Sequence, residues 1–98
     1  MVPTAKLRRS AEQVGRHLQN WRKLHAMTAE EVATRAGISR GTLRRLEHGD
    51  PAVSFGTVLA VARALGQLDA IVAAFDPLST DIGQLRMTEK LPQRVRRS

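Results

Sequence analysis

Cysteine is absent from this 98-residue chain, and aromatic residues make up only 3% of it. Without cysteine there is neither a disulfide nor a thiolate metal site, and nothing marks an oxidising compartment. With so few aromatics the platforms that stack on single-stranded bases are missing, which disfavours RNA as a ligand. No apolar run approaches the ~20 residues that span a bilayer. Residues 1–10 lack the apolar stretch of a signal peptide, so a cytoplasmic location with no membrane partner is expected. No period-2 strand pattern and no internal repeat occurs. There is also no nucleophile beside a base, no carboxylate pair in a plausible pocket and no phosphate-cradling glycine loop, so no enzyme is expected. His17, His25 and His48 lack the companions and spacing of a metal or catalytic site. Met1, Met27 and Met87 suggest no cofactor, and none is expected.

Hydrophobic residues supply 42% of the chain, enough for one core that must be built from Leu, Val, Ile and Ala. That favours packed helices and a single domain over residues 10–76, with a basic arm at 1–9 and a polar to basic tail at 77–98. The formal charge of +7 points to a polyanionic partner. Its distribution is uneven: residues 1–49 carry ten Lys or Arg against four acids, while residues 50–85 carry Arg63 against four aspartates. Surplus arginine that merely keeps a small protein soluble is the competing explanation.

Five helices are predicted. The first starts at Ser10 as N-cap and reaches Leu24, with Val14, Leu18 and Trp21 as its core stripe. Thr28-Ala29-Glu30-Glu31 reads as a capping box opening a second, short helix that Gly37 ends. Ser39 caps a third over residues 40–48, closed by Gly49. Ser54 caps a fourth, whose apolar face is Phe55, Val58, Leu59, Ala62 and Leu65. Leu68, Ile71, Val72 and Phe75 mark a fifth, stopped before Asp76-Pro77 because the residue preceding proline avoids the helical region. Beyond Pro77 the pattern fades, and no element is assigned.

The second and third helices satisfy a narrow steric pattern together. Val32 and Ala36 point to the core, Ala33 is small enough for a close crossing, Gly37 turns the chain and Ile38 plugs the turn. Leu43 and Leu46 anchor the third helix, leaving Arg40, Gly41, Thr42, Arg44 and Arg45 outward. With V-G-R-H-L-Q-N-W-R, T-A-E-E-V-A-T-R-A-G-I-S and G-T-L-R-R-L-E-H-G, residues 14–65 resemble the XRE family of phage-repressor and Cro-type helix-turn-helix regulators.

The resemblance implies an all-α, five-helix lambda-repressor-like fold and a homodimer whose third helix lies in the major groove of double-stranded DNA. Arg40, Gly41 and Arg45 then face base edges, and Thr42 and Arg44 lie nearer the phosphates, with Ser39 at the helix start. An ion pair between Arg22 and Glu47 is implied at the end of that helix. Ala29 departs from the family, which usually has a glutamine that binds the DNA backbone there; that contact is missing or comes from elsewhere, for example from Arg16, Lys23 or Arg35. Arginine suits base reading because it donates two hydrogen bonds to O6 and N7 of guanine. The fifth helix, through Leu68, Ile71, Val72 and Phe75, is the expected dimer interface. The function expected is a transcriptional regulator, a repressor in the first instance. The alternative is an antitoxin resembling the HipB-like partners of HipA-type kinases, with a toxin protein as a further partner. Lys6, Arg8 and Arg9 are either further DNA contacts or a solvated end, and Arg94, Arg96 and Arg97 are DNA contacts, a site for an acidic partner or a solvated end.

Overall fold

A computed structural model describes residues 2–90. In order, the elements are α1 (Ala5–Leu24), α2 (Ala29–Ala36), α3 (Arg40–Glu47), α4 (Phe55–Ala64), α5 (Leu68–Phe75), a 3-10 turn (Pro77–Ser79) and α6 (Asp81–Lys90). The described residues contain no strand. The all-helical class agrees with expectation; a sixth helix is added to the five. The chain divides into two compact units, one ending at Leu68 and the other starting at Asp69.

α1 starts earlier than Ser10. Thr4 is the cap, its hydroxyl accepting from the Leu7 amide at 3.2 Å, and Ser10 lies inside the helix with its own hydroxyl donating to the Lys6 carbonyl at 3.0 Å. Residues 5–9 contain good helix formers, so the earlier of two hydroxyl caps wins. Lys6, Arg8 and Arg9 therefore lie on a helix rather than on a loose arm. The buried face of α1 is Gly15 and Leu18, not the stripe through Val14 and Trp21, which remain 46% and 38% exposed. Trp21 stacks on His25, whose Nε2 hydrogen-bonds the Leu65 carbonyl at 3.0 Å.

α2 begins at a reciprocal capping box. The Thr28 amide donates to the Glu31 carboxylate at 2.8 Å, and the Glu31 amide donates to the Thr28 hydroxyl at 3.1 Å. Gly37 then takes the left-handed conformation (φ 71°) and reverses the chain. The Ile38 amide donates to the Ala33 carbonyl at 3.0 Å, closing the turn into Ser39, the cap of α3.

The Thr28 backbone amide, and after it the Thr28 side chain, hold the Glu31 carboxyl below its ordinary value of 4.5. A carboxyl depressed on folding stabilises the fold above its unfolded pKa and loses that contribution as pH falls through the folded value. The stability gap between wild type and Glu31→Gln should thus be constant near neutrality and narrow below about pH 4.5, checked by thermal melts across that range. A gap independent of pH would show that the Glu31 charge plays no part.

The core of the first unit joins Leu18, Val32, Ala33, Leu43, Leu46, Val61 and Leu65, with Met27, Ala36, Ile38 and Val58 packed against it. Val32, Leu43, Val61 and Leu65 are fully buried, each contributing about 1.5–3 kcal/mol. Most of the face expected of α4 turns inward; the exceptions are Phe55, which lies outward, and Val61, which joins the core in its place. Val61, Ala62 and Leu65 are buried, Val58 and Leu59 are half-buried, and Phe55 stays 64% exposed. Nearly every side of α4 is apolar, so periodicity alone cannot select the inward face.

In the second unit, the described residues after Asp76 form the 3-10 turn and α6. The Thr80 hydroxyl accepts from the Gly83 amide at 3.0 Å and donates to the Pro77 carbonyl at 3.0 Å, and the Gln84 side chain donates to the Leu78 carbonyl at 2.7 Å. Thr80 thus starts α6, where no element was expected. Its signal is weak because Ile82 and Leu85 remain exposed instead of forming a core face. Arg94, Arg96 and Arg97 lie outside the described residues.

Candidate nucleic-acid interface

Each residue of an α-helix advances about 100° around its axis. On α3 that geometry sets Leu43 and Leu46 inward, where both are buried, and puts Gly41, Arg44, Arg45 and His48 on the opposite side. All four of these are exposed. Arg40 is exposed on one flank and Thr42 half-buried on the other. The outward row is cationic, and the glycine at its N-terminal end lets a ligand approach the backbone closely.

The start of α3 is held by its own side chains. Ser39 Oγ accepts from the Thr42 amide at 3.0 Å while its proton goes to Thr42 Oγ1 at 2.9 Å. The hydroxyl proton of Thr42 is thereby left free to point outward. At the other end His48 Nδ1 donates to the Arg44 carbonyl at 2.8 Å, which in the neutral ring leaves Nε2 as an acceptor. The position of His48 on the outward row was not foreseen, because as a lone histidine it carries no motif.

The rear of α3 rests on α1. Arg22 Nε donates to Glu47 Oε2 at 2.8 Å and Nη2 to Oε1 at 3.1 Å, a two-pronged pair whose side chains are only 14% and 7% exposed. Arg22 Nη1 also reaches the Met27 carbonyl at 3.3 Å. The Glu47 hydrogen bonds raise the pKa of the guanidinium further above its already high value. Gly15 lies directly beneath: a Cβ built there would fall 2.5 Å from the Leu46 carbonyl oxygen and 2.6 Å from that of Glu47. Of the expected stripe Val14, Leu18 and Trp21, Leu18 is buried, while the Gly15 contact carries no signal in the sequence.

Among the described residues, Arg40 and Arg44 have no carboxylate partner, whereas Arg45 has one: its Nε donates to Asp50 Oδ2 at 2.9 Å. Ala29 sits at the edge of an open cleft of about 490 Å³ whose other walls include Arg40, Gly41, Arg44 and His48. Lys23 and Arg35 are exposed in the last turns of α1 and α2, where they also complement the helix dipoles. Leu68 and Ile71 are half-buried, while Val72 and Phe75 are exposed. Among the described residues no group of three His, Asp or Glu could hold a metal ion, and no helix is long and apolar enough to cross a membrane.

A family model described as a helix-turn-helix domain matches residues 13–75. The chain belongs to this helix-turn-helix family. The family is of the kind found in XRE-family regulators, and its helix-turn-helix domain binds DNA. Neither a curated protein nor a solved structure matches the chain. In this helix-turn-helix protein α2 and α3 are the paired helices, and the match covers the core residues that join them.

Proposed function

We propose that this helix-turn-helix protein is a sequence-specific repressor that binds an inverted-repeat operator in double-stranded DNA as a homodimer. The observation that carries the reading is the outward row of α3, where Gly41, Arg44 and Arg45 are uncovered while Leu43 and Leu46 anchor the opposite face. An α-helix fits the major groove, and there arginine forks onto the O6 and N7 acceptors of guanine. Arg40, Gly41 and Arg45 face base edges in this reading. Ser39, Thr42 and Arg44 lie towards phosphates, and Lys23 and Arg35 add flanking charge that steers and tightens binding without reading sequence. The Arg22–Glu47 pair holds α3 in register on its scaffold. Repression needs only occupancy of the site.

One α3 covers too few base pairs for useful specificity, and a two-fold dimer doubles the contacts. The exposed apolar side chains of α5, Phe75 at 79% and Val72 at 63%, with Leu68 and Ile71 beside them, supply the joining surface. Selection from a randomised duplex library should then enrich an inverted repeat with half-site centres about 34 Å apart. Ile71→Asp with Phe75→Lys should sediment as a monomer, retain its helical circular dichroism and enrich no palindrome. A wild-type monomer that protects a single non-palindromic half-site would overturn the dimer.

A further inference from the structure

Gly49 follows α3 in the left-handed conformation (φ 85°) and turns the chain back along the helix that it leaves. The next residue, Asp50, is tied to Arg45 twice. Its amide donates to the Arg45 carbonyl at 2.9 Å, and its Oδ2 accepts from Arg45 Nε at 2.9 Å. The other carboxylate oxygen, Oδ1, accepts from the Ala52 amide at 2.8 Å. Both oxygens are engaged, so the carboxylate is fixed in the plane from which it holds the arginine.

We propose that Asp50 is a specificity-determining residue that positions Arg45, occupying its Nε so that only the two terminal nitrogens of the guanidinium face DNA. The proposal rests on the reading above, that α3 enters the major groove. A free arginine can approach acceptors side-on, through Nε and one terminal nitrogen, or end-on, through both terminal nitrogens. With Nε engaged by Asp50 the end-on fork alone remains, and it matches the paired N7 and O6 acceptors that one guanine presents in the major groove. The same carboxylate restrains the long side chain from swinging to a phosphate, where it would bind every sequence alike.

Asp50 is itself a negative charge beside the proposed interface and so repels the DNA backbone. An exposed ion pair of this kind adds little to folding stability, because water screens it and both side chains lose freedom. Its effect is therefore expected in discrimination and not in the melting temperature. The Ala52 amide and Arg45 hold the Asp50 carboxyl below its ordinary value, so it is charged near neutrality.

Asp50→Asn is the informative variant. When its single side-chain oxygen keeps the Ala52 contact, the NH2 that replaces Oδ2 can only donate and so cannot accept the Arg45 N–H. Asp50→Ala serves as a second variant, and Arg45→Ala as the reference for complete loss. Each is put through the randomised-duplex selection, followed by affinity titrations at one fixed salt concentration on the enriched duplex, on the duplex changed at the Arg45-dependent guanine, and on a random duplex. In wild type, one guanine per half-site should depend on Arg45. In both Asp50 variants the preference for that guanine should fall about ten-fold, while affinity for the random duplex rises as one repelling charge is removed. Melting temperatures should stay near wild type. An unchanged guanine preference in the Asp50 variants would overturn the positioning role while leaving operator binding intact. Failure of the wild type to enrich any sequence would overturn the operator reading and, with it, this inference.

Discussion

Gly15→Ala is expected to destabilise the domain by about 3 kcal/mol, the upper end for overpacking a tight contact. The new Cβ meets backbone, not a side chain that could rotate away: the Leu46 and Glu47 carbonyl oxygens lie 2.5 and 2.6 Å from where it would sit. To admit it, α1 and α3 must separate, and the packing of Leu18 with Leu43 and Leu46 loosens with them. For a domain of this size that corresponds to a fall in melting temperature on the order of 10–20 °C. Arg16→Ala, one residue along on the exposed side, should melt close to wild type. If Gly15→Ala melts with it, the close approach of α1 to α3 is wrong.

The second large effect is expected at Glu47. Glu47→Ala leaves the Arg22 guanidinium mostly buried with only the Met27 carbonyl to accept from it. Removing one member of such a pair costs about 2–4 kcal/mol, most of it from the stranded charge. Replacing both, as Arg22→Met with Glu47→Leu, should cost clearly less than Glu47→Ala alone, because no charge is left without a partner. A double-mutant cycle on thermal or urea unfolding should return a coupling of about 1–3 kcal/mol between the two positions. A coupling near zero would reduce the pair to a surface contact.

What could be read in the sequence is what a few neighbouring residues determine among themselves. Thr28 with Glu31, Gly37 and Ser39 with Thr42 each solve a local hydrogen-bonding or backbone problem within four residues, and the expected turn between α2 and α3 is present. The outward row of α3 was legible for the same reason, since Leu43 and Leu46 fix which side faces the core. Contacts set by distant chain were not. Gly15 reads as a weak point in a helix until the carbonyls of α3 are seen crossing it. Asp50 reads as a loop-former before proline, and its grip on Arg45 depends on the reversal at Gly49. Val61 and Phe55 are both apolar on a helix apolar nearly all round, so nothing local separates the buried one from the exposed one. α6 was missed because its cap, Thr80, opens a helix without a core-facing stripe.

The supports of α3 all reach it from behind, at Leu46, Glu47 and Gly49, where a Cβ on the glycine would meet the α1 backbone at Glu12. Among the described residues Arg40 and Arg44 enter no salt bridge, and a Cβ added at Gly41 would meet only the Ser39 hydroxyl at 3.8 Å. Those three positions therefore form a cassette: other side chains can be written onto them without renegotiating the scaffold, and under the proposed function such a rewrite would change the DNA address. Position 45 is the exception, because its side chain is joined to Asp50 outside the helix and a change there also releases that carboxylate.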